Sequence, residues 1–178
     1  MDHGARSIVL IGMMGAGKSS VGRCLERRTG LQRFDIDDLV VAHVGRSIPQ
    51  IFTEFGEAHF RDAETDVLAA LNPRQSAIVV TGGGVVLRRA NVSQLKRLGL
   101  VVWLDANEEV LLDRATRRRD RPLLERADPK SAVAKLISER APLYAAVADL
   151  RIDTSSLTHE QVSELILAEV EKLTCQSK

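Results

Sequence analysis

Short apolar runs rich in β-branched residues alternate along the chain with longer segments in which apolar residues recur every three or four positions. The short runs have the length of strands, and the longer periodicity is that of helices. Strands that alternate with helices favour a parallel sheet covered on both faces. The predicted strands are SIVLI (7–11), QRFDI (32–36), AIVVT (77–81), LVVWL (100–104) and DLRID (149–153).

Helix boundaries can be read from local residues. Gly30 follows two arginines and a threonine and is expected to end the first helix. Asp128-Pro129 has the order of an N-cap and a first helical residue, and Thr158 with Gln161 forms a capping-box pattern. Behind that box an apolar stripe predicts a core-facing side of the last helix. Its members are Val162, Leu165, Ile166, Val170 and Leu173.

Two segments depart from simple alternation. Residues 37–72 contain two or three helical pieces where one crossover helix would suffice, which predicts an inserted region. Residues 117–128 are dense in charge and contain a proline, which predicts a mobile loop between helices. We treat residues 1–178 as one domain that carries both features.

Composition narrows the function classes. The net charge is +1 and aromatic residues make up 3% of the chain, which argues against a nucleic-acid surface. No apolar stretch is long enough to span a bilayer, and the N-terminus has no signal-peptide pattern. Two cysteines, Cys24 and Cys175, predict no disulfide framework and fit a reducing, cytoplasmic location.

A phosphate-binding loop follows the first predicted strand. Gly12, Gly17, Lys18 and Ser19 match the pattern G-x-x-x-x-G-K-[ST], which holds nucleoside triphosphates through backbone N–H groups and a helix N-terminus. The lysine reaches the outer phosphates and the serine hydroxyl can bind Mg²⁺. The N-K-x-D pattern of GTPases is absent from the sequence. The loop alone leaves a small-molecule kinase and an ATPase open.

Two aspartates follow the second strand, where ligands bind in open α/β sheets. On an extended segment Asp35 and Asp37 would point the same way and could serve Mg²⁺ and an acceptor hydroxyl. The alternative is that Asp37 or Asp38 caps the next helix.

Arginines and glycines farther along the chain suggest an anionic acceptor. Arg61 and Glu64 have helical i, i+3 spacing, so that the glutamate could orient the arginine towards a carboxylate; a surface ion pair is the alternative. Three glycines follow the third strand and would let a ligand approach the backbone. Arg121 lies in the charged segment, and Arg140 is expected to end a helix before APLY.

Taken in order, these segments resemble the shikimate kinase family over about residues 8–155. The matching pieces are GMMGAGKSSVGR, DIDD, GRSIPQIFTEFGEAHFRDAE, GGGVV, RPLL and ERAPLY. Ser20 and Ile36 stand where threonine is common in the family, which leaves the chemistry unchanged. The resemblance implies a three-layer α/β/α P-loop kinase with five parallel strands in the order 2-3-1-4-5. It also implies a substrate-binding region near 36–64 and a lid near 115–128.

The implied activity is ATP-dependent phosphorylation of the 3-hydroxyl of shikimate, which gives shikimate 3-phosphate and ADP in aromatic amino-acid biosynthesis. We expect ATP and Mg²⁺ as cofactors, shikimate as the small-molecule partner, no nucleic-acid or membrane partner, and a monomer.

The resemblance also implies roles for individual residues. Lys18, Asp37 and Arg121 are expected to be catalytic: Asp37 orients or deprotonates the acceptor hydroxyl, while the two cations meet the phosphates. Ser19 and Asp35 are expected to hold Mg²⁺. The expected nucleotide-binding residues are Gly15, Ala16, Gly17, Lys18, Ser19, Ser20, Arg114 (on adenine) and Arg121. The expected shikimate-binding residues are Asp37, Arg61, Gly82, Gly83, Gly84 and Arg140.

Two other functions fit part of the sequence. A kinase of another polyol acid, such as gluconate, would keep the phosphate loop but has less need of the arginine and glycine set. A P-loop protein without catalysis would be expected to lack Lys18 or Asp37, and both are present.

Overall fold

The computed structural model describes residues 7–72, 74–116 and 129–176. Five strands form one parallel sheet in the order β2-β3-β1-β4-β5, as the resemblance implies. The strands are β1 Ser7–Ile11, β2 Arg33–Asp35, β3 Ile78–Val80, β4 Gly99–Asp105 and β5 Leu150–Asp153. β1 and β3 are buried along their whole length, because helices cover both faces of the sheet.

Within the described residues, eight α-helices form the outer layers of an α/β/α arrangement. They are α1 Lys18–Thr29, α2 Ile36–Val44, α3 Ile48–Glu54, α4 Gly56–Ala70, α5 Arg89–Leu98, α6 Glu108–Thr116, α7 Pro129–Val147 and α8 His159–Gln176. A 3₁₀ turn at Val85–Leu87 follows the glycines. Three short helices therefore lie between β2 and β3, as the inserted-region prediction requires.

Most of the predicted helix boundaries are confirmed. Gly30 is left-handed and ends α1 by donating its N–H to Glu26. Thr158 and Gln161 exchange both capping-box hydrogen bonds at the start of α8. α7 begins at Pro129, whereas Asp128 lies outside the described residues.

The predicted end of a helix at Arg140 is wrong. α7 continues through Pro142 to Val147. Pro142 cannot donate an N–H to the Ser138 carbonyl four residues before it, and its ring crowds that carbonyl, but Ser138 is exposed and its carbonyl can bind water instead. Buried residues on both sides of the proline, Val133 and Tyr144, hold the helix to the core.

The predicted apolar stripe of α8 is only partly correct. Val162 and Ile166 are fully buried, but Leu165 and Leu173 are exposed, and Ser163 is buried in their place. Ser163 satisfies its hydroxyl by donating to the His159 carbonyl within the helix, so a polar residue can occupy this buried face.

The two cysteines are free, with Cys24 buried and Cys175 exposed. Among the described residues, no helix is both long and apolar enough to span a membrane.

Candidate active site

The phosphate loop connects β1 to α1 through three glycines with positive φ, at Gly12, Gly15 and Gly17. Residues with a Cβ rarely adopt this backbone region. At Gly12 a Cβ would also collide with the Leu104 carbonyl. The loop therefore depends on glycine for both its turn and its packing beside β4, and it delivers the chain to the first turn of α1.

Lys18 folds back over this loop. Its Nζ lies 2.7 Å from the Gly12 carbonyl oxygen and 2.8 Å from the Met13 carbonyl oxygen, and the residue is 9% exposed. An ammonium group held by its own loop lies close to the backbone N–H groups that receive phosphates. Ala16 is buried and donates its N–H to Met13, so its side chain does not line the pocket described below.

Ser19 and Asp35 bring two oxygen ligands together beside the loop. The Ser19 hydroxyl lies 3.5 Å from Asp35 Oδ2, and Asp35 Oδ1 accepts the backbone N–H of Asp37. Burial raises the pKa of Asp35, and the neighbouring carboxylates of Asp37 and Asp38 raise it further. A cation at this carboxylate would relieve both effects.

These donors suit Mg²⁺, which takes few protein oxygens and keeps waters and phosphate oxygens as its other ligands. Consistent with such a sparse site, the described residues contain no cluster of three or more acidic, histidine or cysteine ligands.

The expected extended geometry of the aspartate pair is wrong. Asp35 ends β2 and is the N-cap of α2, so Asp37 already lies in the first helical turn. The cap turns the chain after a strand of three residues, and both carboxylates nevertheless line one pocket. The capping residue is Asp35, not Asp37 or Asp38 as the alternative interpretation proposed.

A pocket of about 230 Å³ joins the loop to the carboxyl ends of β2 and β3. It is lined by Gly15, Gly17, Lys18, Ser19, Ser20, Asp35, Asp37, Thr81, Gly82, Gly83, Arg114 and His159. Thr81 and His159 were not predicted. His159 comes from the first turn of α8, where the capping box just after β5 could have pointed to it.

Arg114 lies at the same pocket but is already anchored. It donates to the Thr154 hydroxyl at 3.3 Å and to the Thr154 carbonyl at 3.1 Å. The anchoring fixes the guanidinium at the end of β5, beside the phosphate loop, which is compatible with the predicted contact to a nucleotide base.

Arg61 forms the centre of a second cluster and is buried, which excludes the surface-pair alternative. Its Nη1 lies 3.0 Å from Glu64 Oε2, while Nε and Nη2 lie 3.3 and 3.1 Å from Glu57 Oε1. Glu64 is completely buried, and this burial raises its pKa although Arg61 acts in the opposite direction. Both glutamates come from α4, one turn before and one turn after the arginine.

The remaining edge of the Arg61 guanidinium faces Gly84. A Cβ placed on Gly84 would lie 2.5 Å from Arg61 Cζ and 2.6 Å from Nη1. A Cβ on Gly82 would lie 2.8 Å from Asp37 Oδ1 and 3.2 Å from Glu64 Oε1. Because these glycines have no side chains, the Arg61 guanidinium and the carboxylates of Asp37 and Glu64 can lie directly against the backbone after β3.

Arg140 reaches the same glycines from α7. It is 6% exposed, and within the described residues no carboxylate lies within ion-pair distance of it. Its Nη1 would lie 3.6 Å from a Cβ on Gly83. A buried guanidinium without a counter-ion is costly, and an incoming anion would remove that cost.

The structure thus brings together every predicted site residue that it describes, except for the side chain of Ala16. Arg121 and residues 117–128 of the predicted lid lie outside the described residues.

The buried Arg61–Glu64 pair makes a stability prediction. We expect Arg61→Ala to lower the free energy of unfolding at pH 8 by about 3–5 kcal/mol, because it leaves Glu64 buried and unpaired. Glu64 then has a still higher folded pKa, so the folded state takes up a proton more readily than the unfolded state. Stability falls as pH rises through that folded pKa, and the loss should be smaller at pH 5 than at pH 8.

Urea unfolding at both pH values measures this effect. Arg88→Ala is the matched control. Arg88 binds Asp62, which lies on α4 next to Arg61, and this exposed pair is worth less than about 1 kcal/mol. An equal loss for the two variants, or a loss independent of pH, would contradict the buried-pair interpretation.

Comparisons with known proteins agree on one family. A sequence model of the family described as shikimate kinase matches residues 14–171. A shikimate kinase of Thermodesulfovibrio yellowstonii is 40% identical over 169 residues, which cover 95% of this chain and 97% of that protein. One from Bradyrhizobium diazoefficiens is 42% identical over 161 residues, which cover 90% of this chain and 77% of that protein.

Solved structures give the same result. The shikimate kinase of Acinetobacter baumannii, in complex with shikimate, is 36% identical with a TM-score of 0.89, over 94% of this chain and 93% of that one. A gluconokinase from Sinorhizobium meliloti is 21% identical with a TM-score of 0.61, over 97% of this chain and 95% of that one; it shares the fold.

Proposed function

The chain belongs to the shikimate kinase family, and we propose how its residues divide the ATP-dependent phosphorylation of shikimate between a nucleotide half and an acceptor half. The reaction gives shikimate 3-phosphate and ADP, and it serves aromatic amino-acid biosynthesis. The observation that carries the division is the pair of buried arginines, Arg61 and Arg140, at the glycines that also border the phosphate pocket.

The nucleotide half is the phosphate loop with the start of α1. Lys18 leaves its two carbonyl partners for phosphate oxygens, while the N–H groups of Gly15, Gly17, Lys18 and Ser19 bind the remaining phosphate charge. Ala16 and Ser20 donate their N–H groups to Met13 and Gly17 and thereby shape the loop. Ser19 and Asp35 would hold Mg²⁺, which would supply positive charge beside the phosphates. Arg114 supports the base from its anchored position.

The acceptor half binds a carboxylate and hydroxyl groups. Arg140 supplies the uncompensated positive charge for the shikimate carboxylate. The charge of Arg61 is already paired with Glu57 and Glu64. Its role is to offer N–H donors in a fixed direction, because the guanidinium is held between these glutamates and Gly84. The backbone of Gly82 to Gly84 meets the hydroxyls.

Asp37 lies where the two halves meet. Its Oδ1 faces Gly82, and it lines the same pocket as Lys18. This position lets the carboxylate accept a hydrogen bond from the acceptor hydroxyl and hold it towards the phosphates. Arg121, which lies outside the described residues, is assigned to the phosphates by the family resemblance alone.

We infer a monomeric enzyme with one P-loop domain, an acceptor region at 36–64 and a lid near 115–128. The described site residues of both halves meet within a single copy of the chain, which supports this inference. The near-neutral net charge of +1 supports the absence of a nucleic-acid partner. Two free cysteines support a reducing, cytoplasmic location.

A coupled ADP-release assay tests the substrate class. We expect turnover with shikimate and none above background with gluconate or nucleoside monophosphates, each tested with ATP and Mg²⁺. Faster turnover with gluconate than with shikimate would overturn the assignment.

Arg140→Met tests the carboxylate site without leaving a buried charge unpaired. We expect the shikimate KM to rise roughly 10- to 100-fold, since a hydrogen bond to a charged group contributes about 1.5–3 kcal/mol, with the ATP KM unchanged. The melting temperature should not fall, because the variant removes a buried cation that has no counter-ion among the described residues.

Lys135→Met is the matched control, because Lys135 lies on the same helix and is well exposed. Its kinetic parameters should equal those of the wild type. An unchanged shikimate KM for Arg140→Met would remove Arg140 from the acceptor half.

A further inference from the structure

Tyr144 lies one helical turn after Arg140 on α7 and is 1% exposed. Its hydroxyl donates to the carbonyl oxygen of Gly83 and lies 3.6 Å from Met13 Sδ. The tyrosine thus contacts both the glycine segment of the acceptor half and the phosphate loop.

Arg140 lies near the same phenol. Its positive charge acts on the hydroxyl, and its Nη1 would lie 3.6 Å from a Cβ on Gly83, the residue whose carbonyl accepts from Tyr144. Burial nevertheless raises the pKa of Tyr144 to about 12, so the hydroxyl keeps its proton at neutral pH and can donate to Gly83 beside the guanidinium.

The bond from Tyr144 to the Gly83 carbonyl can fix the orientation of the glycine segment. A segment of three glycines has no side chains to fix its peptide planes, so its orientation depends on main-chain hydrogen bonds. The carbonyls of Gly82 and Gly84 accept bonds from Val85 and Leu87 in the 3₁₀ turn. Tyr144 fixes the plane between them, which carries the Gly84 N–H on its opposite side.

We propose that Tyr144 is a positioning residue for the acceptor: one hydroxyl sets the direction of both the Arg140 guanidinium and the Gly83–Gly84 peptide. This inference rests on the proposed function, because it assigns Tyr144 to the carboxylate and hydroxyl contacts of that acceptor half. It acts on substrate binding and not on the phosphoryl transfer itself.

Tyr144→Phe tests the proposal, because it removes only the hydroxyl and keeps the buried ring. We expect the shikimate KM to rise about tenfold, with kcat within threefold of the wild type and the ATP KM unchanged. The matched control is Ser163→Ala, which removes another fully buried hydroxyl, on α8, and should change none of the three parameters.

Direct binding provides a second readout that does not depend on turnover. Trp103, the single tryptophan, lies with its ring centre 5.8 Å from that of Tyr144, so its fluorescence can follow a shikimate titration at a temperature where each variant is folded. The Tyr144→Phe dissociation constant should rise by the same factor as its KM.

A double-mutant cycle with Arg140→Lys identifies the route of the effect. If Tyr144 acts through Arg140, the rise in KM for the double variant is smaller than the product of the two single rises. A shikimate KM within twofold of the wild type for Tyr144→Phe would overturn the proposal, as would equal losses in all three kinetic parameters. If the wild type phosphorylates shikimate and Tyr144→Phe gives either of these results, only the role of Tyr144 is overturned. If the wild type does not phosphorylate shikimate at all, the proposed function is overturned as well.

Discussion

Asp37→Asn should reduce kcat with shikimate by about 10²- to 10⁴-fold, the range over which a positioned acid or base contributes to catalysis. The substitution keeps the size of the side chain and removes the charge that accepts the hydroxyl proton or orients its hydrogen bond. Asp37 lines the phosphate pocket and points at Gly82, so it lies between the two halves of the site. Steady-state kinetics with saturating ATP measure the effect.

Nucleotide affinity should separate this effect from a general loss of the site. Asp37 is not assigned a contact to phosphate or Mg²⁺, so the dissociation constant for ADP, measured by calorimetry, should remain within about threefold of the wild type. Asp38→Asn is the matched control, because Asp38 is the next residue of the same helical turn but is exposed. A kcat for Asp37→Asn within threefold of the wild type would show that the carboxylate is not needed for transfer.

The nucleotide half could be predicted from the sequence because its signal is local. A strand, a glycine loop, a lysine, a serine and a helix follow one another directly, and each has a physical requirement that restricts the residue type. The strand order could not be obtained this way. It came from the family resemblance, since the pairing of β1 with both β3 and β4 joins segments about 70 and 90 residues apart.

The acceptor half depends on contacts that no local pattern contains. The i, i+3 spacing of Arg61 and Glu64 was visible, but their burial depends on how α4 packs against the glycines after β3. Tyr144 had no chemical signal of its own, because its partner is a backbone carbonyl 61 residues away. Thr81 and His159 join the pocket for the same reason: they follow strands whose carboxyl ends meet at one edge of the sheet.

Two of the local errors also have a physical explanation. Asp35 was expected on an extended segment, but a side chain that can accept an N–H two residues later ends the strand and begins a helix. Arg140 was expected to end a helix just before APLY, but the helix continues through Pro142. In the folded chain the burial of Tyr144 and Val147 outweighs the single backbone bond lost at Pro142.

The charges of the acceptor half suggest how it selects an anion without being destabilised. Arg61 is held between Glu57 and Glu64, so it contributes direction at little electrostatic cost. Arg140 lies beside a neutral phenol, and no carboxylate of the described residues lies at ion-pair distance from it. Arg140 therefore favours a carboxylate ligand over a neutral polyol.

The close packing of Arg61 against Gly84 leads to the second large effect, on Gly84→Ala. Gly84 has φ −101° and ψ 2°, which alanine adopts without strain, so the substitution tests space alone. The added methyl would occupy the position of the Arg61 guanidinium, 2.5 Å from Cζ. Arg61 is long, but two glutamates and burial fix its end, so relief requires the guanidinium to leave the edge that we assign to shikimate.

We expect Gly84→Ala to raise the shikimate KM about 10- to 100-fold, which corresponds to the usual overpacking cost of about 1–3 kcal/mol, while the ATP KM stays within twofold. Gly83→Ala provides the graded comparison: its Cβ would meet Arg140, Gly12 and Met14 atoms at an ordinary 3.6 Å, so its KM should rise by a clearly smaller factor. Neither added methyl group would clash with the phosphate loop, so ADP affinity should be the same for both variants. Equal shikimate KM values for the two variants would mean that the position of the Arg61 guanidinium beside Gly84 does not affect acceptor binding.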